Sequence, residues 1–239
     1  MFGALAGCHS PGPGHVYAWT PAAPQSVLDL ATDASAPSTA LPGRVAPGEY
    51  VVGIAYDFNT DFLILRVEPY RRIRICKRGE NRYVREWMLP AELALPADLA
   101  VRPRDRHLFA AHLLQPELWE FSLEGNFLRV LALTPQPPAP LRGLAFDHTR
   151  DRFVALLTTT PAQLIEIAPD GTWTTLAPLA AEVVAVTLGC NGETGEYYAL
   201  LAGGGIGVFD RRGALLRRLA GADATTALDA GPRSLVRVF

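Results

Sequence analysis

Asp57, Asn59, Asp61 and Glu68 are oxygen donors at positions 1, 3, 5 and 12 of a loop, the spacing with which an EF-hand surrounds calcium. Calcium takes about 6–8 oxygens, and such a loop needs glycine at its sixth position to bend sharply. Here the sixth position is Phe62, the first residue of the apolar run Phe62-Leu63-Ile64-Leu65. That run reads as a strand, which carries Glu68 away from the other three. The quartet is therefore expected to be a polar turn between two strands, and Asp147 and Asp151 repeat the same turn. The five histidines, His9, His15, His107, His112 and His148, contain no pair at zinc spacing. His107 and His112, on one strand, should point to opposite faces. No G-x-S-x-G nucleophile motif occurs. Gly203-Gly204-Gly205-Ile206-Gly207 precedes no helix that could offer its N-terminus to a phosphate, so it reads as a tight loop. These residues predict no catalytic side chain, no metal and no cofactor.

Charge is unevenly placed. The net charge is -2 and only 19% of residues are charged, which gives no electrostatic reason to expect a nucleic acid. Yet eight of the 22 basic residues fall in one stretch: Arg66, Arg71, Arg72, Arg74, Lys77, Arg78, Arg82 and Arg85. Only Glu68 and Glu80 oppose them locally. Arg71, Arg72, Arg74, Lys77 and Arg78 form the candidate basic patch for an anionic surface. The alternative is a charged strand edge that resists pairing with other chains.

The start of the chain carries a second signal. Leu5-Ala6-Gly7-Cys8 resembles the bacterial lipobox, in which small residues precede a cysteine that becomes lipidated. His9 to Gly14 then reads as a flexible tether, so residues 1–14 stand apart from a single domain over residues 15–239. Only seven residues precede Cys8 and none is basic, short of the basic and apolar regions of a signal peptide. A start upstream of Met1 would supply them. The resemblance implies a membrane partner through a lipid on Cys8 and a place in the bacterial envelope. His9 after the cysteine implies the outer membrane, facing the periplasm. A chance Ala-Gly-Cys in an alanine- and glycine-rich chain is the alternative. Cys76 and Cys190 have no ligand-spaced neighbours and are expected to be free thiols.

The elements that would position these residues are strands. Hydrophobic residues are 49% of the 239, and 21 glycines and 20 prolines punctuate short apolar runs. No apolar run reaches the length of a transmembrane helix. Segments resembling one another begin near Gly53, Asp98, Gly143, Ala185 and Ser234, at spacings of 45, 45, 42 and 49 residues. Periods of about 40–50 residues, each with four strands, mark propeller blades. Glycines in Arg78-Gly79-Glu80-Asn81, Glu124-Gly125-Asn126, Asp170-Gly171 and Arg211-Arg212-Gly213 fill one recurring hairpin slot. The reading is an all-β, five-bladed β-propeller with blades near 50–90, 97–134, 142–177 and 182–220. The fifth blade joins residues 233–239 to 15–42, so the C-terminal strand pairs with the N-terminal strands. On this reading, deleting the last six residues should unfold the ring.

Gly143-Leu144-Ala145-Phe146-Asp147 and Leu164 to Gly171 resemble propellers of the NHL-repeat, regucalcin/gluconolactonase and SdiA-regulated kinds. The resemblance implies a ligand site at the mouth of the central channel, near the starts of the inner strands. Glu49, Asp98, Arg142, Glu182 and Arg233 are the candidates there. This set mixes acids with arginines and lacks the amide and acid ligands of a lactonase metal site. The arginines could pair with the acids or hold an anionic ligand. Trp19, Trp87, Trp119 and Trp173 occupy different strand positions, which suits packing between blades. The function expected is a non-catalytic binding or scaffolding module for a protein or small anionic ligand. The alternative is a metal-dependent lactonase- or esterase-like hydrolase at the channel mouth.

Overall fold

The computed structural model describes residues 14–22, 26–33, 39–41, 45–78, 80, 83–93, 98–180, 182–219, 225 and 227–231. Twenty strands form five four-stranded antiparallel sheets. The first blade is β4 (Tyr50–Asp57), β5 (Phe62–Glu68), β6 (Arg72–Lys77) and β7 (Tyr83–Met88). A short 3-10 turn at Ala91–Leu93 leads to the second: β8 (Leu99–Arg102), β9 (His107–Ala111), β10 (Glu117–Ser122) and β11 (Phe127–Ala132). The third is β12 (Leu141–Asp147), β13 (Arg152–Leu157), β14 (Gln163–Ile167) and β15 (Trp173–Pro178). The fourth is β16 (Val183–Asn191), β17 (Glu196–Leu201), β18 (Ile206–Phe209) and β19 (Leu215–Leu219). The closing blade orders β20 (Ala227–Gly231), β1 (His15–Trp19), β2 (Val27–Ala31) and β3 (Thr39–Leu41).

The inner strands β4, β8, β12, β16 and β20 touch in cyclic order, which makes the fold a five-bladed β-propeller. Period-two alternation explains the packing. On β5, Leu63, Leu65 and Val67 face the closing blade, whereas Ile64 packs toward the second. Five apolar clusters result, one in each gap between blades. The four tryptophans belong to these clusters or pack against them.

Closure differs from expectation in its strand. β1 pairs with Ala227–Gly231, His15 opposite Gly231 and Trp19 opposite Ala227, upstream of the expected segment 233–239. Gly189 of β16 permits the close approach of this strand, because a Cβ there would sit 2.8 Å from Ala230 N. Residues 233–239, the tether with Cys8, Arg82 and the slot residues Gly79 and Asn81 lie outside the described residues.

The turns from inner to second strands repeat one device. Asp57 Oδ1 accepts the Asn59 N–H at 3.1 Å, Asp147 Oδ1 the Thr149 N–H at 3.1 Å, and Asn191 Oδ1 the Glu193 N–H at 3.1 Å. The turns end at positive φ, on Asp61 (60°), Asp151 (52°) and Gly195 (68°). The EF-hand-spaced quartet is thus a turn, and Glu68 is engaged elsewhere, with Arg66 at 3.1 Å. Among the hairpin slots, Gly171 at φ 88° shows the need for glycine directly, because a Cβ there would lie 2.2 Å from Ala132 O. Cys76 and Cys190 are buried and form no disulfide among the described residues.

Candidate functional site

The axis of the ring is filled by polar side chains that tie the blades together. Asp98, just before β8, is fully buried. Its Oδ1 accepts the Leu99 N–H at 3.0 Å, and its Oδ2 accepts the N–H groups of Leu144 (3.3 Å) and Leu188 (3.0 Å). Thr187 Oγ1 lies 2.7 Å from the same oxygen, 3.0 Å from the Leu228 carbonyl, and accepts the Leu228 N–H at 3.2 Å. Asp229 on β20 does the complementary work. Its oxygens accept the Tyr56 and Ala230 N–H groups at 2.8 Å each, with further support from the Cys190 backbone. The two carboxyls thereby staple the inner strands of all five blades. Burial raises the Asp98 carboxyl to about 8 against the pull of these hydrogen bonds. Burial also pushes Asp229 well up, and the charge of Asp98 adds to it.

A backbone irregularity delivers Thr187 to the axis. Val184 of β16 pairs with Leu200, but the next pair is Leu188 with Ala199. Residues 185–187 bulge out of the ladder, which re-aims their side chains. At the other end of the axis, Tyr56, Phe58, Phe146, His148 and Asp229 close the channel to a void of about 10 Å³. That is room for about one water.

The described residues among the five expected at the channel mouth do not form one cluster. Asp98 lies at the axis, where it is sealed rather than exposed. Arg142 is half-buried on β12 and forms no hydrogen bond or ion pair among the described residues. Glu49 turns outward to the third strand, 2.8 Å from Arg74 Nη1. Despite burial, the hydrogen bonds from Arg74 and the Ala46 N–H hold its carboxyl below the usual range. Glu182 pairs at the rim with Arg218 of β19 at 3.0 Å. Arg233 lies outside the described residues.

The basic stretch is largely an ion-pair lattice, which corrects its reading as an open cationic patch. Arg72 and Arg74 meet Glu86 at 3.1 and 2.6 Å, and Lys77 meets Glu80 at 3.0 Å. Arg78 reaches Asp61 at 2.7 Å and Asp29 of the closing blade at 3.6 Å. Arg71 occupies a turn at φ 53°, where its N–H donates to Glu68. Sheet register brings in acids that the linear stretch does not contain. A second lattice joins Asp105, His107 and Glu120, whose ligand-type atoms lie within 4.8 Å of one another. Arg102 bonds both of these carboxylates, and Arg129 Nε sits 2.5 Å from Glu120 Oε2. Guanidinium groups already neutralise the charge there.

An open apolar cleft of about 330 Å³ lies at the face where the inner strands begin. Val184, Val186, Leu200, Leu201, the Ala202–Gly205 turn and Thr225 line it. Val184 and Val186 are each 37% exposed, whereas Thr187 is buried. Gly204 and Gly205 adopt φ of 88° and 81°, so the glycine-rich run is a tight loop and forms one wall. Smaller clefts of about 190 and 160 Å³ lie beside Trp173 and beside Leu114 with Pro137.

Similarity to solved structures extends over most of the chain. A chain in the crystal structure of a nidogen/laminin complex matches with a TM-score of 0.62 and 15% identity, covering 91% of this chain and 82% of that one. Myxococcus xanthus glutaminyl cyclase matches at 0.51 and 14%, covering 77% and 71%. A Bacteroides thetaiotaomicron protein of unknown function matches at 0.55 and 12%, covering 77% and 53%. These likenesses show the fold. No protein-family model and no curated protein matches the chain. One neighbour comes from a protein complex and another is an enzyme, so the shared architecture leaves activity open.

Sequence reasoning missed Asp229, Thr187 and the valine wall. An aspartate inside a run of alanine, leucine and glycine was the available signal for Asp229. Thr187 gave none, because a bulge is invisible until register is known.

Proposed function

We propose that this protein is a non-catalytic propeller that binds a partner or ligand through the face where its inner strands begin. The observation that carries the proposal is the division of labour between axis and cleft. The carboxyls of Asp98 and Asp229 are committed to backbone N–H groups of neighbouring blades. The open cleft is apolar, and its lining holds no ionisable side chain among the described residues. Apolar concavities with few polar groups suit binding. The neighbour from a nidogen/laminin complex is a precedent for this fold in a protein assembly.

The proposal includes a lipid tether at Cys8 that holds the domain at the bacterial envelope, on the periplasmic side of the outer membrane. His15 and Gly231 are paired neighbours, so both described ends leave by the face opposite the cleft. Seven residues from Cys8 to His15 reach at most about 25 Å. A Cys8 anchor would therefore direct the cleft away from the bilayer.

Two measurements separate this reading from a metal-dependent hydrolase. Elemental analysis of the purified protein should find no stoichiometric metal, and chelator should leave the melting temperature unchanged. Bound zinc or calcium together with chelator-sensitive ester hydrolysis would establish the hydrolase. Mass spectrometry of the protein from its native host should find Cys8 as an acylated N-terminal residue, and unmodified protein starting at Met1 would reject the tether.

A further inference from the structure

We infer that the cleft at the hairpin end of the third blade, lined by Arg152, Glu166, Thr172, Trp173 and Thr174, is a binding site for one pyranose unit of a neutral saccharide. β12 and β14 end on this side and β13 and β15 begin there, so the site lies across the ring from the apolar cleft. It goes beyond the binding proposed for that cleft and does not depend on it.

Sheet register assembles the polar part of the lining. Glu166 of β14 stands opposite Val154 of β13 and Thr174 of β15. Arg152, two residues before Val154, shares their face of the sheet. Arg152 spends one N–H on the Asp151 carbonyl at 3.3 Å and makes no ion pair among the described residues. Glu166 meets Arg150 through Oε1, and its Oε2 accepts no hydrogen bond among the described residues. The lining therefore sets guanidinium donors beside a carboxylate acceptor and the Thr174 hydroxyl. A hydroxyl both donates and accepts, so neighbouring hydroxyls on one ring satisfy such a pair together. An anion would be repelled by Glu166 and a cation by Arg152, so the balanced pair favours a neutral occupant. Trp173 supplies the apolar part. Its indole N–H donates to the Pro135 carbonyl at 2.5 Å, and it packs against the cluster between the second and third blades while lining the cleft. An aromatic held in this way covers the C–H groups of a sugar ring and removes them from water. At about 190 Å³ the cleft is smaller than the pockets of drug-sized ligands, which suits a single ring.

Saturation-transfer NMR of the full chain with methyl glucopyranoside, methyl galactopyranoside and methyl mannopyranoside tests the assignment, with acetate and methylammonium as charged controls. At least one glycoside should bind at millimolar strength, and neither control should displace it. Arg152→Leu should weaken that glycoside about tenfold. Trp173→Ala should abolish its binding. Because Trp173 also packs against the core, Thr174→Trp at an exposed position provides a second block that leaves the core intact. No saturation transfer to any of the three glycosides would overturn the inference, as would an affinity unaltered by both Arg152→Leu and Thr174→Trp. Displacement of the glycoside by acetate would assign the cleft to an anion and reject the saccharide. Each of these failures leaves the reading of the apolar cleft standing, because that cleft shares no residue with this one.

Discussion

Thr187 Oγ1 lies 2.7 Å from Asp98 Oδ2, although 89 residues separate the two in the chain. The contact crosses from the second blade to the fourth. With Asp229 it turns the centre of the ring into a hydrogen-bonded hub. Buried polar networks of this kind stabilise only when their members are satisfied, and removal of one member leaves the others stranded.

Asp98→Ala should therefore destabilise the fold by about 3 kcal/mol or more, because three buried N–H groups and a hydroxyl lose their acceptor. Asp98→Asn keeps a carbonyl oxygen and should have a smaller effect. Urea unfolding measures both, and a loss below about 1 kcal/mol for the alanine variant would contradict the hub.

The pH dependence follows from opposed groups. Burial raises Asp98 to about 8 when folded, against about 3.9 for an unfolded aspartate. Its stabilising contribution is full below the unfolded value and is lost as pH rises through the folded one. Asp229 acts in the same direction. Hydrogen bonds from Arg217 lower Glu196, and those from Arg74 lower Glu49 despite its burial. Their contributions are present above about pH 4 and fade below it. Stability should peak in mild acid and fall toward pH 8. Thermal melts across pH 3–9 check this, and Asp98→Asn should flatten the alkaline slope.

Arg66 is fully buried, pairs with Glu68, and donates to the Leu93 carbonyl at 2.6 Å. Glu68→Ala would leave that charge uncompensated, at a cost of about 3–5 kcal/mol. Adding Arg66→Met should recover a large part of the loss. Two melting temperatures compared within one double-mutant cycle decide the matter. A double variant less stable than Glu68→Ala alone would contradict the argument.

Closure by Ala227–Gly231 changes what truncation should do. A chain ending at Gly231 retains every described strand and should melt as a cooperative unit. A chain ending at Thr225 lacks the inner strand of the closing blade and exposes the β1 edge, so it should aggregate or unfold. Circular dichroism and size-exclusion chromatography of the two chains test this directly.

Residue pattern alone determined the number of blades and the class of the fold. The 42–49-residue period, the alternating strands and the hairpin glycines such as Gly171 are local features, written in neighbouring positions. Local pattern also showed that the Asp57 loop was a turn, because Phe62 occupied the place a calcium loop reserves for glycine. Ring closure was only half legible. Residues 233–238 repeat the inner-strand motif, but the strand that pairs with β1 is Ala227–Gly231, packed against Gly189 of β16 in a contact between blades. The same holds for the basic stretch, whose partners Glu49, Glu86 and Asp29 arrive through register, and for Asp98, which looked like a rim acid and is a buried staple. Side-chain environment at an axis depends on five strands meeting from distant parts of the chain. Only tertiary packing brings together the bulge at residues 185–187, the buried Thr187 hydroxyl and its partner Asp98.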